Sequence, residues 1–273
     1  MKQWLKEYID LFFKDRDRGY EFKHQHIPKK LYKYQPISDG IRDIRMETLK
    51  DNKFWLSKST ELNDPFDCQA TYFDEKELRV LIEKMRGNGE INISTDKLLN
   101  GIKQMLIYNR ENVKVVCFTE SPDNMPMWGN YADNHRGICV EYEFNKLEPN
   151  NKFTKMLHPV GYDKYRYDIT NILKKMIMEN YDHTIYLIFF LMMMKHDSWE
   201  YEQEWRVLDF DEASNSEKGS LIESPIKPSA IYFGINCCPK DIEEITSFVD
   251  RDITKLYQLK IENHQFFQFD LIE

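Results

Sequence analysis

Gly137-Ile138-Cys139-Val140-Glu141-Tyr142-Glu143-Phe144 alternates with a period of two. Ile138, Val140, Tyr142 and Phe144 fall on one face, and Cys139, Glu141 and Glu143 on the other. This is the signature of a β-strand that turns one face to a core. Other strands lie outward from it. Upstream, 113–118 is apolar and β-branched, 54–57 is a short apolar run, and 31–34 is stopped by Pro36. Downstream, 199–210 and 230–235 read as strands, and 256–261 with 265–272 as a closing hairpin.

Helices separate these strands without regular alternation. Trp4, Leu5, Tyr8, Ile9 and Phe12 recur at helical spacing and predict a helix over 3–14, followed by a polar stretch. Further helices are predicted over 37–49, capped by Ser38 or Asp39, and over 75–86 and 95–108. A turn or two of helix is expected at 127–132, a long apolar-striped helix around 169–194, and one more at 241–249. This order favours an α+β fold with mixed, mainly antiparallel sheets and flanking helices. The expected organisation is an N-terminal helix and connector over 1–30, then a single domain over 31–273 with a helical insertion around 75–108.

Composition narrows the class. The 273 residues are 41% hydrophobic and 31% charged, as in a globular chain. The net charge of −8 argues against a whole-surface attraction to nucleic acid and leaves room only for a local basic groove. None of the five cysteines (Cys68, Cys117, Cys139, Cys237, Cys238) sits at C-x-x-C spacing, so free thiols in a reducing cytoplasm are expected. The amphipathic start carries Asp10, Asp15 and Asp17, unlike a signal peptide. The apolar run at 185–194 is shorter than the roughly 20 residues that span a bilayer. No phosphate-loop, dinucleotide-fingerprint, nucleophile-elbow or H-E-x-x-H motif is present.

Three segments concentrate reactive side chains. The first, 57–68, holds Ser57, Asn63, Asp64 and Asp67, although Asn-Asp-Pro is also strong turn chemistry. The second, 117–137, places Phe118, Glu120, Trp128, Tyr131, His135 and Arg136 beside a strand end. Aromatic rings there can stack on planar ligands or simply cap the core, and His135 can move a proton near neutral pH. In the third, 199–206, a strand would align Glu202, Glu204 and Arg206 on one face and Trp199, Tyr201 and Trp205 on the other. Two carboxylates so placed repel each other unless a cation or a function holds them.

Together these segments resemble a widespread bacterial family of unknown function, through N-D-P-F-D at 63–67 and M-W-x-x-Y-A-x-x-H-x-G at 127–137. More distantly, the chain resembles the ADP-ribosyltransferase fold. Tyr32-Lys33-Tyr34 would supply that fold's first element, with Lys33 where Arg or His is usual. The strand end at Ser57 would be the second element and Glu202-Gln203-Glu204 the third.

The resemblance implies NAD as substrate and no metal. Glu204 would stabilise the charge developing on the ribose, Glu202 would orient the acceptor, and Ser57 would bond the ribose or brace the glutamate. Tyr32, Lys33, Tyr34, Asn63, Asp64, Phe118, Trp128, Tyr131, His135 and Arg206 would bind the dinucleotide. The acceptor would be protein or nucleic acid, with no membrane involved. A cytoplasmic toxin or phage-defence effector, with a partner protein from the same operon, fits that reading. One alternative is a metal-dependent hydrolase or nuclease built from Asp64, Asp67, Glu120, His135, Glu202 and Glu204. Another is a non-catalytic module that binds a nucleotide or a protein.

Overall fold

The computed structural model describes residues 2–37, 44–179, 184–210, 218–262 and 264–272. Along the chain run α1 (Gln3–Lys14), α2 (Arg16–His24), β1 (Leu31–Gln35), α3 (Ile44–Lys50), β2 (Lys53–Lys58), β3 (Thr71–Tyr72), α4 (Glu75–Gly87) and α5 (Thr95–Asn112). Then come β4 (Lys114–Thr119), α6 (Met125–Tyr131), β5 (Ile138–Tyr142), α7 (Lys152–Met156), β6 (Leu157–Pro159), β7 (Gly161–Asp163) and β8 (Tyr167–Asp168). The chain closes with α8 (Thr170–Glu179), α9 (Thr184–Met193), β9 (Met194–His196), β10 (Glu204–Asp209), β11 (Gly219–Glu223), β12 (Ala230–Phe233), α10 (Pro239–Phe248), β13 (Lys255–Glu262) and β14 (Gln265–Leu271).

The fold is α+β. One mixed, mostly antiparallel sheet runs β11-β2-β4-β1-β5-β12-β13-β14, and β10 joins it through β4 and carries β6. Its parallel pair among the described residues, β12 with β13, is bridged by α10, as a parallel crossover requires. The alternation that marks β5 sends Ile138, Val140 and Tyr142 into the main core with Phe54, Phe118, Phe144, Trp205 and Val207. Its other face is also buried, with Cys139 packed beside Tyr32, Tyr34, Trp128 and Tyr232. Each large side chain so buried contributes about 1.5–3 kcal/mol.

The pairing of β4 shapes the site. One edge of β4 pairs with β10 over six positions, from Thr119↔Glu204 to Lys114↔Asp209. The other edge is divided: β2 takes its start (Ser57↔Val115, Lys58↔Lys114) and β1 its end (Tyr32↔Thr119). Between them, residues 116–118 have no strand partner on that edge among the described residues, and the sheet forks into a cleft.

Two sequence expectations need correction, and two others fall partly outside the described residues. The polar stretch after the first helix is itself helical: α2 is capped by Asp15, whose carboxylate accepts the Arg18 N–H. It lacks an apolar stripe because it buries mainly Gly19 and Lys23, whose ammonium donates to the carbonyls of Thr154 (2.7 Å) and Leu157 (2.6 Å). The strand expected over 199–210 begins only at Glu204; Asp197–Glu202 is a 3-10 turn that ends in left-handed Gln203 (φ 45°). The helix expected over 37–49 is described as α3 alone, and its proposed caps Ser38 and Asp39 lie outside the described residues. The long helix expected around 169–194 is described as α8 and α9, with 180–183 likewise outside.

Leu5, Tyr8, Ile9 and Phe12 of α1 are buried in a second cluster with Phe189, Phe190 and Met194. Among the described residues no helix is long and apolar enough to cross a membrane.

Candidate active site

The fork beside β4 encloses a cavity of about 300 Å³. Tyr32, Lys33 and Tyr34 of β1, Ser57 of β2 and Phe118 of β4 line it, together with Asn63, Asp67, Tyr131, Glu202 and Glu204. Most of the side chains singled out in the sequence therefore converge, from six separate elements and the loop that holds Asn63 and Asp67. Trp128, His135, Asp64 and Arg206 do not join them; Arg206 is fully buried beneath the lining. Trp128 is fully buried against Tyr34, and its indole N–H donates to the Pro122 carbonyl at 2.8 Å. Asp64 closes a turn by accepting the Phe66 N–H at 2.9 Å. His135 stacks on Trp128 with ring centroids 6.2 Å apart, so it supports the wall of the site from behind.

The two specific motifs are explained by local geometry. In N-D-P-F-D, the turn closed by Asp64 carries the chain to Asp67, which is buried and accepts the Cys68 N–H at 2.7 Å. In M-W-x-x-Y-A-x-x-H-x-G, α6 ends and Asp133, Asn134 and His135 all adopt left-handed φ (47°, 52° and 66°). Gly137 then passes so close to β1 that a Cβ there would lie 2.3 Å from the Gln35 carbonyl oxygen. This tight return places Tyr131 over the carboxylates.

At the floor of the cavity, three carboxylates meet two cations. Arg206 is fully buried and grips Asp67 through two nitrogens, at 2.9 and 2.6 Å. It also grips both Glu204 oxygens, at 2.7 and 2.9 Å. Lys195, buried on β9, donates to Glu202 at 2.6 Å and to Glu204 at 3.3 Å, and lies 3.4 Å from Asp67. The second Glu202 oxygen accepts the Tyr131 hydroxyl at 2.5 Å, and Asn63 donates to that hydroxyl at 3.1 Å. The Glu204 N–H donates to the Tyr162 hydroxyl at 2.8 Å.

The arrangement separates the two glutamates. Burial alone would raise Glu204, but Arg206 and Lys195 outweigh it and hold this carboxyl below its ordinary range. Asp67 is lowered in the same way, chiefly by Arg206. Glu202 is raised by burial and then by the neighbouring Glu204 charge, which Lys195 only partly offsets. Two carboxylates pushed in opposite directions can serve as a fixed charge and a proton carrier. Burial and the Glu204 charge also push the Cys117 thiol well up, so it is not a thiolate nucleophile.

On the β1 wall, half-buried Lys33 is lowered to about 8 by burial and by Arg45, which also lines the cavity. Lys33 has no acidic partner among the described residues. The cavity is therefore bipolar, with cationic nitrogen on one wall and surplus carboxylate on the floor.

Sequence reasoning missed Lys195, which follows Met192-Met193-Met194 and reads as the tail of a buried helix. The available signal was a lysine ending an apolar run seven residues before a Glu-x-Glu pair. Asp67 was considered only as a metal ligand, yet its oxygens are occupied by Arg206. Among the described residues no three His, Cys, Asp or Glu side chains are grouped to hold a metal ion.

No curated protein and no solved structure matches the chain. Residues 127–207, the segment that carries Tyr131, Lys195, Glu202, Glu204 and Arg206, match the model of a family described as a protein of unknown function (DUF2971).

Proposed function

We propose that this chain is an NAD-using enzyme of ADP-ribosyltransferase type, with the forked cleft as its dinucleotide site. The observation that carries the reading is the pair Glu202 and Glu204 at the floor of a cleft whose β1 wall presents Lys33 and whose β2 wall presents Ser57. A cavity of about 300 Å³ encloses one nucleotide half, so the other half would extend along the open mouth. Lys33 and Arg45 suit the pyrophosphate. Tyr32, Tyr34, Phe118 and Tyr131 provide aromatic walls for the nicotinamide-ribose half, and Ser57 and Asn63 provide hydrogen bonds for its hydroxyls.

The reaction breaks the bond between ribose C1 and the nicotinamide nitrogen. The bonding electron pair leaves with nicotinamide, and positive charge builds on the ribose. The cluster counts three carboxylates against two cations, so its surplus negative charge stabilises that state. The acceptor oxygen or nitrogen then bonds to C1 and loses its proton to Glu202, whose raised affinity for protons suits the task.

This reading gives the central role to Glu202, although the sequence suggested Glu204. Both glutamates have partners on both oxygens, but Arg206 clamps Glu204 and holds its carboxyl low, which makes Glu204 the brace of the pair, whereas Glu202 is raised and one of its oxygens meets only the neutral Tyr131 hydroxyl. Such an enzyme would draw on cytoplasmic NAD and would fit a toxin or phage-defence effector. Incubating the protein with NAD and candidate acceptors and measuring released nicotinamide tests the reading. Expression of the protein should also arrest growth, and Glu202→Gln should relieve the arrest.

A further inference from the structure

A second groove of about 770 Å³ shares Lys195 with the cleft as a common wall. Two of its aromatic rings stand almost free in water: Phe66 is 81% and Tyr165 76% exposed. Both are presented by the same device. Asp64 accepts the Phe66 N–H at 2.9 Å, and Asp163 accepts the Tyr165 N–H at 3.1 Å, so each ring rides on an Asx turn. Half-buried Trp199 adds a third ring, with the Lys195 ammonium 4.8 Å from its centroid.

Basic groups flank these rings. Lys164-Tyr165-Arg166-Tyr167 alternates cation and aromatic along an exposed turn. Lys164 has no acidic partner among the described residues. Arg166 donates to the carbonyls of Gln69 (3.0 Å) and Thr71, which fixes the guanidinium without neutralising it. The groove's two aspartates are both engaged in the turns that present the rings.

We propose that this groove binds single-stranded nucleic acid, stacking bases on Phe66, Tyr165 and Trp199 and placing phosphates against Lys164 and Arg166. Exposed rings interleaved with cations suit a strand whose bases are free to stack. A duplex hides its base faces and depends on a broad basic surface, which a net charge of −8 disfavours. The proposal concerns binding and stands without the NAD chemistry.

Fluorescence anisotropy tests it with fluorescein-labelled mixed-sequence 12-mers of RNA and of DNA, and a blunt DNA duplex, at low salt and without NAD. At least one single strand should bind more tightly than the duplex, and the RNA and DNA arms identify which. Two phosphate contacts predict a slope of log K against log salt near −1.4, at about −0.7 per contact. Tyr165→Ala and Phe66→Ala remove exposed rings, so the fold should survive; each should weaken binding about fivefold to a hundredfold. Lys164→Ala should flatten the slope by about 0.7. No single-strand binding, equal binding of the duplex, or unchanged binding by the double variant lacking both rings would overturn the proposal.

Discussion

The Lys195 ammonium donates to Glu202 at 2.6 Å, with both side chains buried. Because Lys195 also reaches Glu204 and Asp67, one cation holds together a cluster drawn from β9, β10, the 3-10 turn and the N-D-P-F-D loop.

Lys195→Met should therefore destabilise the protein by about 3–5 kcal/mol, because it leaves buried Glu202 with no cation and Glu204 and Asp67 with Arg206 alone. The penalty should shrink as pH is lowered from 8 toward 5, because Glu202, already raised by burial and Glu204, takes up a proton more readily than an ordinary carboxylate. Urea unfolding at the two pH values checks this. An equal penalty at both would mean that Lys195 acts only by packing.

Acid should weaken the fold in two stages. His158 is buried with its Nδ1 2.7 Å from the Tyr8 hydroxyl, and burial depresses its proton affinity. Below about pH 6.5 the unfolded chain binds the proton and the folded chain does not, so stability falls by up to about 1.4 kcal/mol per pH unit. Asp67 and Glu204 are also depressed, and their contribution is lost only as pH falls below about 4. Glu202, raised in the fold, works in the opposite sense above about pH 4.3. His158→Gln should flatten the upper stage and leave the lower one. Thermal melts between pH 7 and 3 that show parallel curves for the two proteins would contradict the assignment.

Gly137→Ala should cost more than about 2 kcal/mol, because its Cβ would meet the Gln35 oxygen at 2.3 Å and the Ala132 oxygen at 3.0 Å, both backbone atoms. Gly129 lies in α6 with open space around its Cβ position, so Gly129→Ala should be neutral or stabilising by up to about 1 kcal/mol. Denaturant midpoints of the pair separate a close-approach glycine from an ordinary one.

The legible parts of the fold were those with local periodicity. Ile138, Val140 and Tyr142 announce β5 by alternation alone, and Leu5, Tyr8, Ile9 and Phe12 announce α1 by their stripe. The site was legible as a set of crowded segments: Lys33, Ser57, Asn63, Tyr131 and Glu202 all reach one cavity. What could not be read is long-range. The fork depends on β4 giving one edge to both β1 and β2, a pairing no local pattern encodes. The side of Trp128 that faces the interior depends on the three left-handed residues after α6. Asp64 and Asp67 show why the turn and site interpretations of N-D-P-F-D could not be separated: the first closes the turn, and the turn delivers the second to Arg206.

The most direct measurement is nicotinamide release from NAD by the parent protein and by Glu202→Gln, with protein and nucleic-acid acceptors supplied. The account predicts release by the parent. It predicts that Glu202→Gln folds, still binds NAD, and loses turnover by on the order of a hundredfold or more, the scale for deleting one well-placed electrostatic group. Full turnover by Glu202→Gln, or no release by the parent with any acceptor, would contradict it.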